Sequence, residues 1–328
     1  MKEKILILGN GFNNALGLNV GYEDFFQSAE WIKISEWINA PIIKYIREYK
    51  TQNTNIEDLL RDYIHSGWVQ LYNCAECDKA AFSILENEFA VFVNKELQRK
   101  INKINNDTKV REEFVNTKAF RTISEFQKQI NYFTNDEAVA IYSFCYTNFD
   151  YIRKNNTPPV MPDVSNFEEG KEIGNQWGPF LNIDYMHGVS SNTANSYAIF
   201  GLSKSSFEGC SDEICEKYKF LLKESHDKYF IYGKDYLKKS LQNAECIEFY
   251  GFGFTEPDNP YFEDWLMTDP SFDGEREIIL HILGKDQDGI IETLRKIAGE
   301  NWESFLSHYS IKFIFPDMSE KIYPEQEF

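Results

Sequence analysis

Four consecutive large aliphatic residues, Ile5-Leu6-Ile7-Leu8, run directly into Gly9-Asn10-Gly11-Phe12 near the start of the chain. Strand side chains alternate between two faces, so an unbroken apolar run needs cover on both, as in a parallel sheet with helices on each side. The rest of the chain supplies the parts of such a sheet. Strand signals recur at residues 138–145, 183–187, 197–200, 246–250, 277–283 and 311–315, several of them closed by glycine or proline. A helical pattern at 289–298 ends at Gly299, a suitable C-cap. The expected fold is therefore α/β and Rossmann-like, with a largely parallel sheet flanked by helices.

Between about residues 23 and 135 no strand signal appears. There Phe82, Leu85, Phe89, Phe92, Val93, Leu97, Ile101 and Ile104 recur every three or four positions, with Glu86, Lys95, Glu96 and Lys100 off the stripe, which predicts one long amphipathic helix. Residues 23–135 are read as a helical insertion, and residues 1–22 plus 136–328 as the α/β domain. Prolines 158, 159, 162 and 179 and glycines 170, 174 and 178 mark residues 155–179 as a loop.

The 328 residues include 34 basic and 52 acidic side chains, a net charge of −18. Such a surplus repels polyphosphate, so neither bulk nucleic-acid binding nor an anionic membrane surface is expected. No apolar stretch is long enough for a secretion signal or a membrane span, and a cytoplasmic location is expected. The six cysteines are then read as free thiols. Cys74-Ala-Glu-Cys77 has C-x-x-C spacing, and Cys210 with Cys215 could complete a zinc set. Those pairs lie far apart in sequence and the second spacing is loose, so no metal is expected.

Ligands of parallel α/β sheets sit beyond the carboxyl ends of the strands. The residues to inspect are thus Gly9 to Phe12, Cys145-Tyr146-Thr147-Asn148-Phe149-Asp150, His187-Gly188, Gly201-Leu202-Ser203 and Gly251-Phe252-Gly253-Phe254. Gly9-Asn10-Gly11 suits a phosphate-binding turn, because glycine permits close approach to an anion at a helix N-terminus. It equally suits a purely structural strand-to-helix turn: the third glycine of the dinucleotide fingerprint falls at Asn14. Of the five histidines, only His187 follows a strand signal directly and precedes a glycine.

These blocks carry a resemblance. Residues 7–18, with Gly9-Asn10-Gly11-Phe12 at their centre, followed by Tyr22-Glu-Asp-Phe25, resemble the opening signature of the AbiH-like abortive-infection family of phage-defence proteins. Residues 143–148, Met186-His187-Gly188 and residues 247–258 agree in order. The family is in turn similar to sirtuin-like domains, which bind NAD and in defence proteins commonly hydrolyse it. The resemblance implies that Gly9, Asn10, Gly11 and Phe12 line the dinucleotide and its phosphates, and that His187 acts on the nicotinamide ribose. By the same resemblance Gly251 and Gly253 would bracket the adenosine half, with Asp258 holding that loop or a ribose. Cys145, Tyr146, Thr147 and Gly201 complete the expected nucleotide-binding set.

Two positions depart from the family pattern: Asn13 replaces an acidic residue, and Cys145 replaces an asparagine. A thiol cannot reproduce the paired donor and acceptor of an amide. Either Asn148, in Thr147-Asn148-Phe149-Asp150, orients water or ribose in its place, or the site binds a nucleotide and turns it over poorly. The expectation is an antiphage effector that hydrolyses NAD to nicotinamide and ADP-ribose, with His187 as base and Asn148 beside it. A nucleotide sensor or interaction module is the alternative. A homo-oligomer and a phage-derived trigger or partner protein are the partners the resemblance suggests.

Overall fold

The computed structural model describes residues 2–123, 137–147, 183–189, 197–225, 227–267, 276–282, 287–315 and 320–323. Its main sheet contains β1 (Lys2–Leu8), β2 (Glu137–Ser143), β3 (Ile183–Tyr185), β6 (Ala244–Tyr250), β7 (Arg276–His281), β8 (Tyr309–Ile314) and β9 (Glu320–Tyr323), in the order β3-β2-β1-β6-β7-β8-β9. Every neighbouring pair is parallel except β8 with β9. Counted along the chain, the six parallel strands run 3-2-1-4-5-6, the order of a doubly wound dinucleotide-binding sheet, with its switch point between β1 and β6.

The apolar run of β1 behaves as its composition demands. Ile5 to Leu8 are wholly buried. Ile5 and Ile7 join one core cluster with Phe249, Leu280 and the C-terminal helices, whereas Leu6 and Leu8 join a second with the N-terminal helices. Residues 22–115 supply that second layer as α2 (Tyr22–Phe26), α3 (Ala29–Trp37), α4 (Pro41–Tyr49), α5 (Ile56–His65), α6 (Gly67–Tyr72), α7 (Ala75–Asn106) and α8 (Thr108–Val115), after the short α1 (Asn10–Ala15). The predicted stripe of α7 is buried along its whole length. Phe89 sits at its centre, with ring centroids 5.1 Å from Phe25, 5.5 Å from Phe200 and 4.9 Å from Tyr146, so it joins the helical layer to the end of β2.

Several expectations are corrected. The segment 197–200 does not enter the main sheet: β5 (Tyr197–Ala198) pairs antiparallel with β4 (Gly188–Val189) in a separate ribbon. Glu86, assigned by periodicity to the solvent side of α7, is largely enclosed and accepts the Phe200 amide, and burial pushes its carboxyl up to about 9. Cys74 and Cys77 are not free thiols but form a disulfide at the start of α7. No group of three or more metal-ligating side chains is found among the described residues, nor any helix long and apolar enough to cross a membrane.

Candidate functional site

Register makes the carboxyl edge of the sheet flush. Leu8 lies opposite both Ser143 and Tyr250, and Tyr250 opposite His281. The residues one step further are tied across the edge: the amides of Gly9, Phe144, Met186 and Gly251 donate to the carbonyls of Tyr250, Leu8, Ser143 and His281. The blocks picked out in the sequence after β1, β2, β3 and β6 therefore meet along one rim.

At the switch point the two glycine turns touch backbone to backbone. A Cβ on Gly9 would stand 2.4 Å from the Gly251 carbonyl oxygen, and one on Gly251, at φ +61°, would stand 2.5 Å from Phe12 N. The Gly11 amide donates to Gly251 O at 3.0 Å and the Phe12 amide to Gly9 O at 2.9 Å. Two of the amides read as a phosphate cradle are thus engaged within the chain. Gly253 has no such constraint, since a Cβ there would make only an ordinary 3.8 Å contact with Thr255. Phe254 next to it adopts φ 50°, an uncommon conformation for a bulky residue, inside the loop that leads to Asp258.

That loop delivers the central contact. His187 follows β3 and Asp258 follows β6, so their meeting spans the ends of β2 and β1. His187 Nε2 lies 2.9 Å from Asp258 Oδ1. Lys223 Nζ reaches the same Oδ1 at 2.7 Å and Glu57 Oε1, from the first turn of α5, at 3.1 Å. All four residues are at most 8% exposed. Nε2 also lies 3.3 Å from Lys223 Nζ. An ammonium only donates and a carboxylate only accepts, so the shorter contact assigns the Nε2 proton to Asp258; in the neutral imidazole the lone pair is then on Nδ1. Asp258 Oδ2 accepts from the Thr255 hydroxyl at 3.2 Å. Phe144, Tyr146 and Tyr261 surround the imidazole at ring distances of 5.1, 5.7 and 6.1 Å.

Burial and charge oppose one another here. Burial disfavours an ionised Asp258, but the Lys223 ammonium and His187 hold its carboxyl well below the usual carboxylate range. At Glu57 burial outweighs the pull of Lys223, and its carboxyl is pushed up. Burial alone would drive Lys223 toward the neutral amine; Asp258 and Glu57 more than offset this and keep it protonated. The difference between the acids follows from their partners, because Asp258 touches both Lys223 and His187 directly whereas Glu57 touches only the first of these two.

The remaining predicted residues frame this cluster. The Gly201 amide donates to Glu57 Oε1 at 3.3 Å, and a Cβ on Gly201 would stand 2.4 Å from the Leu221 carbonyl. The Tyr146 hydroxyl donates to Ile199 O and lies 3.4 Å from the Tyr22 hydroxyl. Cys145 is fully buried, its thiol donating to Gly9 O at 3.0 Å, and burial pushes it up to about 12. Asn10 accepts from the Asn13 amide group. Asn13 Oδ1 and Thr147 Oγ1, both fully buried at the rim, have no hydrogen-bond partner among the described residues. Asn148 and the loop 155–179 lie outside the described residues.

Lys223 and Glu57 were not legible as site residues. Glu57 left a trace, since it shares the buried face of α5 with Leu60 and Ile64, where an acid is out of place. Lys223 follows Phe220-Leu221-Leu222 with no periodic signal.

A sequence model of the bacteriophage abortive-infection AbiH family matches residues 5–272. The chain belongs to that family. The matched span runs from within β1 to beyond the helix after the Asp258 loop, and so includes every member of this AbiH-family cluster. Neither a curated protein nor a solved structure matches the chain at a significant level.

Proposed function

We propose that this AbiH-family chain is an abortive-infection effector whose rim site binds NAD and hydrolyses it to nicotinamide and ADP-ribose. The observation that carries the reading is the His187–Asp258 pair, held across the end of a 3-2-1-4-5-6 parallel sheet where such sheets take nucleotides. Two buried polar atoms with no hydrogen-bond partner among the described residues, Asn13 Oδ1 and Thr147 Oγ1, support the reading, being suited to ribose hydroxyls or a carboxamide. In the reaction His187 Nδ1 takes a proton from water as the water oxygen bonds to the ribose C1′ carbon. The bond to nicotinamide breaks and its electron pair leaves with nicotinamide. Asp258 keeps the imidazole oriented and stabilises the imidazolium that results. Asn148 would orient water or ribose.

The test incubates full-length protein with NAD, with and without phage lysate, and follows nicotinamide release. Release that disappears in His187→Ala, together with loss of phage protection in cells, supports the reading. No turnover under either condition, with protection unchanged in His187→Ala, refutes it. A second reading, a nucleotide sensor, draws on the engagement of the Gly11 and Phe12 amides within the chain and on the deep burial of His187. Calorimetric binding of NAD or ADP-ribose without product would select it.

A further inference from the structure

We propose that Cys74 and Cys77 form a reversible thiol–disulfide exchange site on the helical layer, whose reaction partner is a small-molecule or protein dithiol. The two sulfurs are bonded across a separation of three residues, with Cys74 the N-cap of α7 and Cys77 in its first turn. The turn is prepared by the chain around it. Asn73 adopts the left-handed conformation at φ 43°, and its side-chain oxygen accepts from Lys217 Nζ at 2.8 Å. The carboxylate of Asp78, wholly buried, accepts from the Ile42 amide at 2.9 Å, the Tyr63 hydroxyl at 2.7 Å and the Tyr218 hydroxyl at 2.9 Å. The exchange site is thus anchored beside the point where α4, α5 and the helix Asp212–Tyr218 are tied to α7.

Exposure and helix geometry set the direction of attack. Cys77 is exposed and Cys74 half-buried, so an incoming thiolate reaches Cys77 Sγ first. A bond forms between that sulfur and the reductant while the Cys74–Cys77 bond breaks, and the electron pair leaves on Cys74 Sγ. Cys74 makes no side-chain cap bond as a disulfide, but as a thiolate it faces the free first-turn amides of a 32-residue helix, which stabilise a leaving anion. The second thiol of the reductant then attacks its own sulfur in the mixed disulfide and releases Cys77; two protons complete the dithiol. The other four cysteines have no bonded partner: Cys145 is buried and Cys210, Cys215 and Cys246 are half-buried.

The full-length protein is equilibrated across a series of reduced to oxidised dithiothreitol, its thiols are trapped with N-ethylmaleimide, and the peptide carrying both cysteines is read by mass spectrometry. The expected result is a single two-electron step, in which doubly labelled peptide gives way to unlabelled peptide and no singly labelled form accumulates. In oxidised glutathione, adduct formation on Cys74 in Cys77→Ser is expected to level off at lower pH than adduct formation on Cys77 in Cys74→Ser, because the helix N-terminus stabilises the Cys74 thiolate. Peptide that stays doubly labelled in the most oxidising buffer, a singly labelled form that accumulates, or adduct rates with the same pH dependence in the two variants would overturn the proposal.

Discussion

Replacing Lys223 with methionine leaves Glu57 and Asp258 buried without the ammonium that faces both. Lys223 Nζ lies 2.7 Å from one carboxylate and 3.1 Å from the other, and is itself 1% exposed. Removing one partner of a buried ion pair costs about 3–5 kcal/mol, and with two acids stranded the upper part of that range applies. An unfolding entropy of about 2.1 cal/mol/K per residue gives a chain of 328 residues about 0.7 kcal/mol/K, so a loss of about 4–5 kcal/mol lowers Tm by about 6–7 °C at neutral pH. The pH dependence has a definite sign. Asp258, held down in the folded state, contributes stability above its ordinary value of 3.8 that is lost on acidification. Glu57, pushed up, has its full contribution below its ordinary value of 4.5 and loses it as pH rises. Without Lys223 the first contribution vanishes and the second penalty grows, so the deficit is greatest near neutrality and narrows below about pH 5 as both acids take protons. Calorimetric melts of wild type, Lys223→Met and Glu57→Gln/Lys223→Met from pH 4.5 to 8 measure this, with the double variant recovering part of the loss. A single variant that melts within about 1 °C of wild type at pH 7.5 would refute the buried-cluster account.

Gly251→Ala combines a positive φ with a Cβ 2.5 Å from the Gly11–Phe12 backbone; a loss of about 2–5 kcal/mol is expected in denaturant titrations. Glu86→Gln removes a carboxyl that burial pushes up to about 9. Wild-type stability from that group is complete below its ordinary 4.5 and is lost as pH rises toward 9, so the melting advantage of the glutamine variant should grow across that interval. A flat difference would contradict it. For the proposed hydrolysis, Asp258→Asn should lower nicotinamide release about 10²- to 10⁴-fold, because the amide no longer holds His187 with Nδ1 free.

Much of the architecture was present in local pattern. Ile5 to Leu8 required a sheet covered on both faces, the α7 stripe specified one long helix, and glycines marked where β1 and β6 stop. The carboxyl-end rule then gathered His187, the Gly9 turn and the Gly251 loop as one rim. These are consequences of periodicity and backbone freedom, which a linear chain displays directly. Three-dimensional packing decided the rest. Glu57 and Lys223 are 166 positions apart in the chain and look like ordinary surface charges. They become a buried ion pair only because α5 is laid over the end of the sheet, where the loss of water leaves each charge dependent on the other. The same holds for Glu86, turned inward by the strand beside Phe200, and for the glycine amides, taken up by the neighbouring turn. The sequence alone determined which strands would end together; the tertiary structure decided which charges would be left there without water.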